Sequence, residues 1–179
     1  DFDNGERPEN FINRYMRGKV AKINQSNVSA HGTDTWSKRV FNSLKWGSPS
    51  SPVTTKLYNK TLELKHGEDK PYIRQAWETA GLDISRDVWR VEFSLSAQMQ
   101  TLQSLKNGEM FKKSLLHYDT RERLLKQFAI LQNKYFDFRL LKVNRKNDGK
   151  LIYVRKYLCP RLGLFNISLD DCPYKPVRN

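Results

Sequence analysis

Three features of the sequence predict an α+β fold, an antiparallel sheet with helices in its connections. Residues 87–96 alternate, with Trp89, Val91, Phe93 and Leu95 on one side and Arg90, Glu92 and Ser94 on the other. That is the period of a strand with one buried and one polar face. Residues 120–136 set Leu124, Phe128, Leu131 and Tyr135 along one helical stripe. Asp148-Gly149, between two extended pieces, is a hairpin signal.

The remaining elements follow in chain order. Residues 1–3 read as the broken end of a strand. Residues 8–17 form a helix: Pro8 suits its first turn, Phe11, Ile12, Tyr15 and Met16 share a face, and Gly18 ends it. Segments 19–31 and 36–46 are extended, with a turn at His31-Gly32-Thr33-Asp34. A Ser/Pro loop at 48–52 leads into a strand over 53–64, rich in Thr, Val and Leu. A short helix over 72–80 closes at Gly81, and another covers 97–106. Residues 137–144 and 151–157 are the extended pieces joined at Asp148-Gly149. There is no internal repeat and no low-complexity tract.

The chain has 179 residues, the size of one domain spanning 1–179. Its 12% aromatic content argues against disorder. Thirty-two basic residues against 19 acidic give a net charge of +13, with a sequence pI near 9.8 and a mean hydropathy of −0.74. Such a balance favours a polyanionic partner: DNA, RNA or an anionic membrane surface. The membrane is the weakest of the three, because no helix pairs a basic face with a fully apolar one and no run reaches the ~18 apolar residues of a membrane span. Cys159 and Cys172 are too few for a disulfide framework or an all-cysteine zinc site, so a reduced, cytoplasmic setting is expected. The chain opens at Asp1 with neither a methionine nor an apolar leader, as a processed protein or an excised piece would.

The charge concentrates late in the chain. Residues 134–161 hold nine basic side chains against Asp137 and Asp148, seven of the thirteen net charges. Tyr135, Phe136, Phe138, Tyr153 and Tyr157 interleave with them. Cations supply phosphate contacts and exposed rings stack on unpaired bases, so Lys142, Arg145, Lys146, Arg155 and Lys156 are candidate nucleic-acid contacts. A solvated charged face over core aromatics would give the same pattern.

His31, His66 and His117 never pair at ligand spacing, and the sequence has neither a Gly-rich phosphate loop nor a Gly-x-Ser-x-Gly elbow. The strand pair is the better chemical candidate. Alternation through 53–64 puts Lys56, Tyr58 and Lys60 on one side, with Asn59, Thr61 and Glu63 on the other. Two lysines beside a tyrosine favour its phenolate and bind a phosphate. On 87–96, Arg90 can grip a phosphate oxygen, while Glu92 can take a proton or hold a hard cation. Aligned faces would gather Tyr58, Lys60, Arg90 and Glu92 into one cluster. On spacing alone, the ordinary solvent face of a sheet accounts for the same residues.

Phe41-Asn42-Ser43-Leu44-Lys45-Trp46-Gly47-Ser48, a short loop, and Lys56-Leu57-Tyr58-Asn59-Lys60-Thr61-Leu62-Glu63 together resemble the central motif of the replication initiation factor family. These are rolling-circle initiators of plasmids and phages and relaxases of related conjugative elements. Val88-Trp89-Arg90-Val91-Glu92-Phe93 is similar to the family's Trp-x-Arg-x-Glu strand, and Arg155-Lys156-Tyr157-Leu158-Cys159-Pro160 to its late Arg-Lys-x-x-Cys element. Asp1-Phe2-Asp3 stands where the family has an acidic strand.

The resemblance implies a divergent rolling-circle-nuclease-like domain that nicks and joins one DNA strand at a replication or transfer origin. By position, Tyr58 would be the nucleophile, Lys60 a phosphate partner, Arg90 a phosphate clamp, and Glu92 a metal ligand or base, with Lys56 beside them a candidate nucleic-acid contact. Asp1 or Asp3 would join Glu92 around one Mg²⁺ or Mn²⁺, since oxygen donors suit hard cations and no histidine pair is present. The implied partners are single-stranded or hairpin origin DNA, a helicase and a second copy of the chain, in a bacterial cytoplasm. The family has a further portion before the acidic strand, so this chain reads as the later part of a longer initiator. The alternatives are a single-stranded nucleic-acid-binding module without catalysis and a protein-interaction domain of a replication complex.

Overall fold

A computed structural model describes residues 1–24, 27–37, 39–67, 70–96, 120–145, 151–153 and 158–165. Its elements in chain order are α1 (Pro8–Met16), β1 (Val20–Lys22), β2 (Val28–Asp34), β3 (Arg39–Trp46), β4 (Val53–Asn59), α2 (Lys60–His66), α3 (Pro71–Thr79), β5 (Trp89–Leu95), α4 (Arg121–Tyr135), β6 (Phe138–Leu140), β7 (Val143–Arg145) and β8 (Leu151–Tyr153). The fold is α+β, as expected. Strands β2-β3-β4-β5 form an antiparallel meander in that order, while β1 pairs with β6 and β7 with β8. Helices α2 and α3 fill the connection from β4 to β5.

One face of the meander is the core face. Leu44 and Trp46 of β3, Val53, Thr55 and Leu57 of β4, and the half-buried Val91 and Phe93 of β5 project from it. Helix α1 and the β1–β6 pair lie against this face. Phe138 meets Phe11 at 4.8 Å and Trp46 at 5.3 Å between ring centroids, and Tyr15 stands edge-on to Trp46 at 5.6 Å. Burying rings this large supplies most of the drive to close the layers. Phe128 of α4 reaches the same layer through Phe93 at 5.4 Å.

Several sequence expectations change. Residues 1–3 are not strand but lead into a turn over 2–5: the Phe2 ring is buried, Gly5 N–H donates to the Phe2 carbonyl, and Asp3 N–H donates to the Leu164 carbonyl. Segment 19–31 divides into two strands of different sheets. The turn expected at His31–Asp34 is strand; at Gly32 the register jumps from Ser43 to Phe41, a bulge that skips Asn42. A Cβ on Gly32 would meet the Val40 carbonyl oxygen at 2.4 Å, so glycine serves a close approach of two strands there.

The strand expected over 53–64 stops at Asn59. Its side chain accepts from Leu62 N–H and caps α2, and Lys60 N–H donates to Val88 across the strand end. Met16 lies 41% exposed rather than on the buried face of α1. In α4, Leu124 is half-exposed while Gln127, Ala129, Ile130, Leu131 and Gln132 are buried, so only the second half of that helix enters the core. Segment 137–144 is divided between β6 and β7. The β7–β8 pair supplies the expected antiparallel hairpin arms, while its turn at 146–150 and the helix expected over 97–106 lie outside the described residues.

Candidate functional site

Antiparallel register carries side chains in rows across a sheet, so the second face of the meander follows from the pairing. One row runs His31, Ser43, Tyr58, Arg90; its neighbour runs Ser29, Lys45, Lys56, Glu92. None of these eight residues is aliphatic, and four carry formal charge. Tyr58 and Glu92 open onto one face, as the alternation of their two strands requires.

The phenol hydroxyl of Tyr58 donates to Glu92 Oε2 at 3.2 Å, and Arg90 Nε stands 3.9 Å from the same oxygen. Lys56 Nζ lies 4.2 Å from the centre of the tyrosine ring, and Lys60 Nζ lies 5.8 Å from it. Cations at that range are held by the ring's negative face. Lys60, now on α2, also ion-pairs with Glu63, a hydrogen bond that raises its pKa and keeps it an ammonium.

Because Tyr58 is 4% exposed, burial is the largest influence on its hydroxyl and raises its pKa. Arg90 and Lys60 pull it down; Glu92 and Glu63 push it up. The phenolate expected from two flanking lysines therefore does not form at rest, because desolvation outweighs them. The tyrosine is a phenol hydrogen-bonded to a carboxylate, an acid already beside its base.

The geometry of the β4–α2 junction rests on residues that spacing alone passed over. Asn59 Nδ2 donates to Asp87 Oδ2 at 2.7 Å while its oxygen caps α2, and Val88 N–H donates to Thr61 Oγ1 at 2.9 Å. These bonds clamp the residues following Tyr58 to the start of β5. The Asn59 cap preceding a helix-competent Lys-Thr-Leu-Glu-Leu-Lys run was the available signal, and strand-like alternation of the same residues masked it.

Of the other candidates, Asp1 lies apart from this cluster. Asp1 pairs with Arg86 at 3.1 Å and lines a cleft with Leu57, Trp89 and Val91, residues of the opposite sheet face from Glu92. Among the described residues, no three acids, histidines or cysteines converge as a metal site would need. In the basic segment, Lys142 is exposed, whereas Phe136 and Phe138 are core rather than stacking rings. Arg139 and Arg161 both pair with Asp137, at 3.0 and 3.2 Å. Arg145 lies on β7, with Tyr153 opposite Val143 in the ladder; Lys146, Arg155, Lys156 and Tyr157 lie outside the described residues. No described helix is long and apolar enough to cross a membrane.

No protein-family profile matches the chain, and no curated protein does. Among solved structures it has a distant likeness to a rolling circle replication initiator protein from Geobacillus stearothermophilus, 17% identical with a TM-score of 0.44. The match covers 88% of this chain and 50% of that one, so the chain spans about half the length of that protein.

Proposed function

We propose that the chain carries the strand-transfer site of a rolling-circle replication initiator or relaxase, with Tyr58 as nucleophile toward a phosphodiester of single-stranded DNA. The observation that carries this reading is the Tyr58–Glu92 hydrogen bond, 3.2 Å long and flanked by Arg90, Lys56 and Lys60. A nucleophile with a raised pKa needs a base in contact with it, and a phosphate needs cations around it. The tyrosine oxygen bonds to phosphorus as the bond from phosphorus to the 3′-oxygen breaks. Glu92 receives the phenol proton, and the departing 3′-oxygen takes one from solvent. A 5′-phosphotyrosine and a free 3′-hydroxyl result, with Arg90 and Lys60 balancing charge on the phosphate oxygens.

The donors expected for Mg²⁺ or Mn²⁺, Glu92 with Asp1 or Asp3, do not gather with a third ligand among the described residues, and Asp1 pairs with Arg86 on the other face. A single-stranded oligonucleotide carrying an origin sequence, incubated with the protein in Mg²⁺, in Mn²⁺ and in chelator, tests both points. A covalent protein–DNA species is expected; full yield in chelator would remove the divalent ion, and no adduct under any condition would remove the nucleophile and leave the non-catalytic binding module.

A further inference from the structure

The two rows of the polar face are electrostatically lopsided. Both carboxylates of the cluster, Glu92 and Glu63, belong to β5 and α2, on one side of Tyr58. On the other side, β2 and β3 present Ser29, His31, Ser43 and Lys45 with no acid among them. Ser29, His31 and Lys45 are exposed, and Lys45 has no ion pair among the described residues. Helix α1, the β1–β6 pair and Phe128 of α4 reach the opposite face, so none of them covers this one.

We propose that the β2–β3 half of this face is the track on which a single DNA strand lies before it reaches Tyr58, with Lys45 and His31 as backbone contacts and the exposed Ser29 as a hydrogen-bonding group beside them. This rests on the reading of Tyr58 as a nucleophile toward DNA and adds the side from which the strand arrives. The rows run perpendicular to the strands, and at the usual spacing between strands the four residues of one row span roughly 14 Å. That length accommodates a few nucleotides of extended chain. A duplex fits poorly, because among the described residues no helix or ribbon is seen to project from this face to enter a groove. On the β5 and α2 side Glu92 and Glu63 offset Arg90 and Lys60, whereas Lys45 on the β3 side is a cation with no acid beside it in its row, so that side attracts the strand more. Lys56, between Lys45 and Glu92 in its row, hands the backbone from the track to the tyrosine.

The test measures non-covalent binding of a labelled single-stranded oligonucleotide to the full chain carrying Tyr58→Phe, so that it reads the track whether or not the tyrosine cuts. Lys45→Glu should weaken binding roughly 3–10-fold and lower the salt slope by about 0.7, the value of one phosphate neutralised. His31→Glu should act in the same direction. Arg17→Glu, an equal charge change on an exposed residue at the end of α1, should leave affinity within about twofold. Equal losses in Lys45→Glu and Arg17→Glu, or none in either sheet variant, would overturn the track even if Tyr58 forms its adduct. Should Lys45→Glu melt below the parent, Lys45→Gln decides instead: its slope must still fall. An oligonucleotide that binds well while adduct formation fails in the Tyr58 protein would sink the nucleophile and spare the track.

Discussion

On the polar face of the meander, Lys56 and Lys60 stand over a tyrosine ring whose hydroxyl meets Glu92. In the stretch following α4, two arginines share Asp137, and the rings on either side of that acid in the sequence, Phe136 and Phe138, are buried. Both regions interleave cations with aromatics, and by composition the second is the richer. The difference lies in what the cations face. Arg139 and Arg161 are paired with an acid beside the core, where backbone bonds join β6 to residues 160–162: Leu140 N–H donates to Pro160, and Leu162 N–H to Phe138. Lys56 and Lys60 face a group that can react. Charge density alone does not distinguish the two regions; the acid–base pair of Tyr58 and Glu92 inside the charged patch does.

The sharpest way to break this contrast is Tyr58→Phe. Covalent adduct should vanish entirely on a denaturing gel, while affinity for the oligonucleotide stays within about twofold, since the ring and its lysines remain. An adduct that persists would transfer the chemistry to another residue. Glu92→Gln comes next. Adduct formation should slow by about 10²–10⁴-fold, the usual worth of a positioned general base, with binding unchanged or tighter because a negative charge has gone. A rate equal to that of the parent would reduce Glu92 to a hydrogen-bond acceptor.

In the second region the expected effects are on stability. Phe138→Ala removes a fully buried ring touching Phe11, Trp46 and Phe136 and should cost about 3–5 kcal/mol, measured by denaturant unfolding. The equivalent change at a stacking residue would lower DNA affinity and leave unfolding alone. Reversing Lys142, Arg145 and Lys146 together is gentler: for every phosphate that the segment no longer neutralises, the salt slope falls by about 0.7, uniformly across sequences. An unchanged slope would confine DNA binding to the sheet.

The sheet was legible because its signal is steric. Alternation in 87–96 and 53–59 specifies which residues share a face, and pairing then brings Tyr58 to Glu92. Three other features depend on forces that spacing does not report. Thr61 and Glu63 alternate like a strand, yet the Asn59 cap and the Val88 hydrogen bonds bend them into α2. Gly32 and Asp34 have turn chemistry, but a bulge absorbs them into β2. The protonation state of Tyr58 depends on burial, a three-dimensional quantity, and so two flanking lysines pointed the wrong way. Asp1 shows the reverse case: its position in the family resemblance implied a metal ligand, and in the fold its carboxylate pairs with Arg86.

The smallest expected effect is also the one most specific to the sheet face. Two tyrosines, Tyr15 and Tyr58, have pKa values raised above the usual 10.0, mainly by burial. Glu92 adds to the rise at Tyr58 and Arg90 opposes it. Glu92→Gln should therefore let Tyr58 ionise at lower pH, and Arg90→Gln should delay it further, while Tyr15, packed against Trp46 on the other face, stays put. Ultraviolet titration of phenolate absorbance reads these opposite shifts directly. The linkage has a definite sign: the folded protein holds the phenol proton more tightly than the unfolded chain. Its contribution to stability is complete below pH 10 and is lost as pH rises from there through the raised folded value. Arg90→Gln should extend that alkaline loss to higher pH and Glu92→Gln should shorten it. Lys142→Glu, in the other region, should move neither the titration nor the alkaline limb. If it shifted Tyr58 as far as Arg90→Gln does, the two regions would share one electrostatic field and the contrast between them would fall.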